Sequence, residues 1–295
     1  MKQTSIKLIF LWILILGIIC TIHSQNKTYK PVIFPENYTA ELDIIYTTVN
    51  NWEGRIDIYS NQNAVKPTPI VLNIHGGGWN HGEKESQTGF STFFKKGFAV
   101  ANVEYRLESV AAAPGAIEDI RCALIYLYKN AERLHIDKNK IVIMGGSAGG
   151  HLALMAGLQG ESKKFDKNCE ISEELKIAAI IDKYGPTDLT LFKNYSSVKK
   201  WLKQNYGILE FTKSVSPINY VTDKSPPTFI VHGKSDPTIP YEHSVLLYEK
   251  LISKNVKTKF ISVENGGHGK FEKEDNSKIN KEIWLFLEAL NLVND

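Results

Sequence analysis

The chain has 295 residues, 43% hydrophobic and 23% charged, which excludes a disordered or fibrous protein and allows one large core. Its 35 Lys and Arg against 32 Asp and Glu leave a net charge of +3, too balanced for the electrostatic footprint of a nucleic-acid binder. With only three cysteines and no CxxC pair it is neither a zinc ribbon nor a disulfide-stapled miniprotein, and stability has to come from packing a single domain of catalytic size.

Lys2 and Lys7, the apolar run Leu8–Cys20 and the more polar Thr21-Ile22-His23-Ser24 have the form of a secretory signal peptide. The run is shorter than the ~20 apolar residues of a membrane-spanning helix. The expectation is therefore cleavage near Ser24, a secreted or periplasmic chain over 25–295, and no stable membrane insertion afterwards. Lipidation at Cys20 competes, but Ile19 just before it is bulkier than the small residue such sites have. Export leaves Cys122 and Cys169, which an oxidising compartment permits to bridge. Cys122 on an amphipathic helix reads instead as a small packed hydrophobe and Cys169 lies in a polar stretch, so the two are expected to be unpaired. Asn26, Asn37 and Asn194 head N-x-S/T sequences, which matter only in a host that glycosylates them.

In chain order, Ala40–Tyr46 and Arg55–Tyr59 are short and β-like around the turn residues Asn50-Asn51-Trp52-Glu53-Gly54, an opening hairpin. Buried-strand runs follow at Ile70–Ile74, Phe98–Val103, Ile141–Met144, Ile177–Ile181, Thr228–Val231 and Lys257–Val263. Their alternation with helical stretches predicts a parallel sheet covered on both faces. After Pro114, Ile117, Ile120, Leu124, Leu127, Ala131 and Leu134 form one stripe at helical spacing, and Glu118, Asp119, Arg121, Lys129 and Glu132 read as its solvated face. Further helices are predicted over Ala148–Leu158, Tyr241–Ser253 and Lys270–Leu290. The strandless segment Tyr184–Pro226 is long for a compact domain, and its part within 187–225 reads as a lid or binding-loop insertion.

Gly145-Gly146-Ser147-Ala148-Gly149 fits G-x-S-x-G between a strand and a helix. A serine on so sharp a turn requires glycines on both sides, where strand and helix come too close for Cβ atoms. Upstream, His75-Gly76-Gly77-Gly78-Trp79 leaves a buried strand with three glycines whose N–H groups can face a ligand oxygen. The amides of Gly77, Gly78 and Ala148 are the candidate oxyanion donors. A serine hydroxyl needs a base, and the base needs a carboxylate to fix its tautomer. His268, in Asn265-Gly266-Gly267-His268-Gly269 after the last strand, is the candidate base. Asp236, in the loop after Thr228–Val231, is the candidate acid; its competitors Glu242 and Asp223 fall on a helix and before the strand. His75 reads as a brace of its own loop, His151 as a packing or locally bonded residue, and His81, His135, His232 and His243 as structural. No metal-ligand motif and no dinucleotide fingerprint is present, so neither metal nor cofactor is expected.

From about Tyr46 onward, with the serine, acid and histidine in that order, the chain resembles the α/β-hydrolase superfamily. The resemblance is to HGGG-bearing esterases related to hormone-sensitive lipase and to bacterial feruloyl and acetyl esterases. Glu104-Tyr105-Arg106-Leu107, Ser216-Pro217-Ile218-Asn219-Tyr220 and His232-Gly233-Lys234-Ser235-Asp236-Pro237-Thr238-Ile239-Pro240 look like family landmarks. The resemblance implies an α/β-hydrolase fold, a mostly parallel sheet of about eight strands with helices on both faces. It also implies a serine esterase acting on small-molecule or glycan-linked short-chain acyl esters, acetyl or feruloyl. Only a short stretch precedes the hairpin, so no helical cap for long-chain lipids is expected. Trp79 and Tyr105 are candidate substrate contacts. His75-Gly76-Gly77-Gly78-Trp79 is also similar to the HGGxW loop of kynurenine formamidases, and Gly145–Gly150 to prolyl oligopeptidase-type serine peptidases, which keeps an amidase or a peptidase as alternatives.

Overall fold

The computed structural model describes residues 29–192 and 195–293. The expected signal segment, Cys20, Asn26 and Asn194 lie outside these residues. The strands are β1 (Thr39–Val49), β2 (Trp52–Ser60), β3 (Thr68–Ile74), β4 (Ala99–Val103), β5 (Ile136–Gly146), β6 (Ala179–Lys183), β7 (Thr228–Gly233) and β8 (Thr258–Val263). They form one eight-stranded sheet in the order β1-β2-β4-β3-β5-β6-β7-β8. β1 pairs antiparallel with β2 and β2 with β4, and every pairing from β4 to β8 is parallel. The helices are α1 (Ser91–Lys95), α2 (Gly115–Lys129), α3 (Ala148–Gly157), α4 (Ser196–Leu202), α5 (Leu209–Ser214), α6 (Glu242–Ser253) and α7 (Lys273–Glu288). No helix among the described residues is long and apolar enough to cross a membrane.

Strand alternation divides the core in two. On β3, Ile70, Leu72 and Ile74 join the cluster beneath α2, α3 and α6, while Val71 joins the cluster beneath α1 and α7. All seven residues of β3 are buried, as expected of a strand covered on both faces. Burying one such Leu or Ile side chain contributes about 1.5–3 kcal/mol, more than an exposed ion pair at ~0–1 kcal/mol, so the central strands fix the frame. α7 begins at Lys273, later than the sequence pattern places it. The residues before it belong to the preceding loop, where Gly267 N donates to Lys270 O at 3.2 Å.

Two expectations are corrected around α2. Glu118, Asp119 and Arg121 are buried, with only Lys129 and Glu132 of the predicted polar face exposed. Arg106 lies over Asp119 at 2.7 Å and Glu118 at 3.3 Å. Arg121 holds Asp166 bidentately, Nε–Oδ1 2.6 Å and Nη2–Oδ2 2.7 Å. The charges therefore fasten the polypeptide on either side of α2. Cys122 and Cys169 form a disulfide. The polar stretch around Cys169 is drawn onto α2 by the neighbouring Arg121–Asp166 pair, which brings the two sulfurs within reach.

Candidate active site

Ser147 sits at the end of β5 with φ 56° and ψ −124°, a strained conformation for a non-glycine residue that only its surroundings can maintain. The glycines explain how. A Cβ on Gly145 would stand 2.3 Å from the carbonyl of Gly149, and one on Gly149 would stand 2.2 Å from the Ile74 carbonyl oxygen. Ser147 N donates to Lys183 O at 2.9 Å and Ser147 O accepts from His151 N at 3.0 Å, so the turn is tied to β6 and to the first turn of α3.

The structure brings the three widely separated side chains together. His268 Nε2 is 2.9 Å from Ser147 Oγ and His268 Nδ1 is 2.7 Å from Asp236 Oδ2. With the Nδ1 proton directed at the carboxylate, Nε2 is left to accept from the serine hydroxyl. The Asp236 side chain is fully buried and that of His268 is 22% exposed. Asp236 Oδ1 accepts from the amides of Thr238 at 2.8 Å and Ile239 at 2.9 Å. Burial alone would raise this carboxyl, but hydrogen bonds from His232, His268 and those two amides outweigh it and hold Asp236 well below the usual carboxylate range.

His232 is the residue that sequence reasoning missed. Its Nε2–H is shared between Ile239 O at 3.0 Å and Asp236 Oδ2 at 3.2 Å, and its Nδ1 accepts from Ser244 Oγ at 2.7 Å. The signal was its place four residues before Asp236 at the end of a buried strand. Two further histidines, His75 and His151, are packed supports. His75 donates from Nδ1 to Gly76 O at 2.7 Å. His151 donates from Nε2 to Val215 O at 2.8 Å, a partner distant in sequence, and burial pushes it down to about 4.

The candidate oxyanion residues converge beside the serine. Gly77, Gly78 and Ala148 line the same cleft of about 540 Å³ as Ser147 and His268. Gly77 and Gly78 have φ of 113° and 56°, which only glycine adopts readily. Ala148 opens α3, so its N–H has no intrahelical acceptor.

The two aromatic candidates are placed differently from expectation. Tyr105 is buried behind the loop and absent from the cleft wall: it stacks on His75 at 4.3 Å and donates to His75 O at 3.1 Å. It holds the glycine loop from behind. Trp79 touches the cleft but is only 2% exposed, its ring stacked on Trp201 at 4.6 Å. That contact joins the glycine loop to α4 in the long segment after β6, which also contributes Ser197 to the cleft. Among the described residues no three His, Cys, Asp or Glu side chains cluster as metal ligands.

The strand order, the antiparallel start and the serine turn after the fifth strand make this fold that of an α/β hydrolase. A truncated carbohydrate esterase from gut microbiota shares it with a TM-score of 0.74 at 25% identity, covering 88% of this chain and 99% of that one. An acetyl ester-xyloside bifunctional hydrolase from Caldicellulosiruptor lactoaceticus follows at 0.73 and 25%, covering 83% and 91%. Residues 56–251 match the BD-FAE family, and the chain belongs to it. Among curated relatives, Esterase LipC of Mycobacterium tuberculosis is 26% identical over 220 residues, 69% of this chain and 53% of its own. The chain thus spans about half the length of that relative.

Proposed function

We propose that this protein is a secreted serine esterase that removes short acyl groups, acetyl or feruloyl, from polysaccharides. The observation that carries the reading is the unbroken hydrogen-bonded chain Ser147–His268–Asp236 beside the Gly77–Gly78 loop. Ser147 Oγ attacks the acyl carbonyl while its proton passes to His268 Nε2. Asp236 stabilises the resulting imidazolium, and the amides of Gly77, Gly78 and Ala148 hold the oxyanion. His268 then protonates the departing alcohol, and a water activated by the same imidazole releases the acid and restores Ser147.

Names of relatives support the substrate class: a carbohydrate esterase and an acetyl ester-xyloside hydrolase share the fold at 25% identity. A cleft of about 540 Å³ suits a short acyl group with part of its alcohol. The signal-like Met1–Ser24 segment supports export, where polysaccharide esters are met. The test is release of p-nitrophenol from p-nitrophenyl acetate and of acetate from acetylated xylan. Both are expected from the wild type and lost in Ser147→Ala. Turnover of N-formylkynurenine in place of either ester would instead support the amidase alternative.

A further inference from the structure

One ammonium group in the cleft has no counter-ion. Lys183 ends β6, pairs in register with Gly146, and accepts the Ser147 amide on its own carbonyl. Along β6, Ala179 and Ile181 face the α1/α7 side of the sheet, so strand alternation puts the Lys183 side chain on that side with Met144 of β5. It lines the serine cleft and also an adjoining cavity of about 210 Å³, and Asn73, Gln87 and Met144 line both.

Neither cavity has an Asp or Glu in its wall. Lys183 Nζ makes no hydrogen bond or ion pair with any described residue. The contrast within the fold is Lys84, a buried lysine held by Asp43 at 2.9 Å, Asp57 at 2.8 Å and Glu85 at 2.7 Å. Lys183 is only half-buried, so its amine keeps contact with the solvent of the cleft while lacking the carboxylates that a cation drawn out of water is normally given. Of the residues that line both cavities with Lys183, Asn73 and Gln87 supply neutral amides that can share a ligand with it. Burial pushes the Lys183 amine below its ordinary value, and an arriving anion would reverse that shift.

We propose that Lys183 is a carboxylate-binding subsite of the serine cleft, so that the preferred ester carries an anionic group. The inference rests on the esterase reading. The carboxylate belongs either to the acyl part, as in a hemiester of a dicarboxylic acid, or to the alcohol part, as in an acylated uronic acid. Lys183 lines the same cleft as Ser147, and which part of the ester meets it is what the two arms of the test decide.

The test compares kcat/KM within two matched pairs. For the acyl side these are p-nitrophenyl hemisuccinate and p-nitrophenyl butyrate; for the alcohol side, acetylated methyl glucuronide and acetylated methyl glucoside. Each is measured for the wild type, Lys183→Met and Lys183→Arg. In at least one pair the charged-over-neutral ratio is expected to fall tenfold or more in Lys183→Met, as suits loss of a charge-assisted hydrogen bond. The loss should lie in KM of the charged ester, and Lys183→Arg should keep most of the preference. A ratio taken within one protein is insensitive to a partly misfolded fraction. A smaller change in both pairs, with neutral esters turned over, overturns the subsite and leaves the esterase reading standing. A wild type that hydrolyses none of the four overturns both.

Discussion

His232 Nε2 lies 3.2 Å from Asp236 Oδ2, on the same oxygen that accepts from His268 at 2.7 Å. A carboxylate gripped from two imidazoles and two amides cannot rotate, so the His268 ring that depends on it is held toward Ser147. His232 acts through Asp236 and is a positioning residue. His232→Leu is expected to lower kcat about tenfold with KM nearly unchanged, the size of one lost hydrogen bond to a charged group. His232→Gln, whose amide can still donate, should recover part of the loss. An equal change in KM would assign His232 to packing alone.

Gly149 sets the distance between the serine turn and the glycine loop. In Gly149→Ala the new methyl would meet Ile74 O at 2.2 Å and His75 O at 2.7 Å, both backbone atoms. The oxyanion donors must then move apart, and activity is expected to fall by about 10²–10³, the typical cost of one donor. Circular dichroism melting distinguishes displacement from unfolding, and an unaltered rate would contradict the geometry.

The disulfide between Cys122 and Cys169 joins α2 to the segment after α3 across a separation of 47 residues. Reduction, or Cys169→Ser, is expected to cost about 2–4 kcal/mol and to lower the thermal midpoint by roughly 5–10 °C. Esterase activity at room temperature should survive, since neither cysteine lines the cleft. A midpoint unchanged by reductant would mean that the cysteines are not bridged.

Asp182 lies buried under the serine turn, where Gly185 N donates to its Oδ1 at 3.0 Å. Burial pushes its carboxyl up to about 7, against the opposing influence of His232 and the Gly185 amide. Because the folded value is above the unfolded one, its contribution to stability is complete below pH ~4 and is lost as pH rises through about 7. Asp182→Asn does not ionise. Its stability relative to the wild type should therefore improve by a few kcal/mol between pH ~4 and 8, read from urea midpoints at each pH. A difference independent of pH would show that Asp182 does not titrate in this range.

The sheet and the Ser147–His268–Asp236 constellation were legible because they depend on local signals: buried runs of β-branched residues, glycines where backbones meet, and polar residues in loops after strands. What the sequence hid was partnership at long range. Asp119 and Arg121 look like surface charges on an amphipathic helix until Arg106 and Asp166 are seen against them. Cys169 looks isolated for the same reason. Tyr105 follows a strand as a pocket residue would, yet its ring turns behind the glycine loop to stack on His75. In each case the identity of the residue gave its chemistry, and only the three-dimensional neighbour gave its role.

The most direct measurement is peptide mass mapping after reaction with diisopropyl fluorophosphate, which phosphorylates an activated serine hydroxyl. The account predicts one adduct per chain, located at Ser147, with coincident loss of p-nitrophenyl acetate turnover and no adduct in His268→Ala. An adduct on another serine, or an active enzyme that stays unmodified at Ser147, would contradict it.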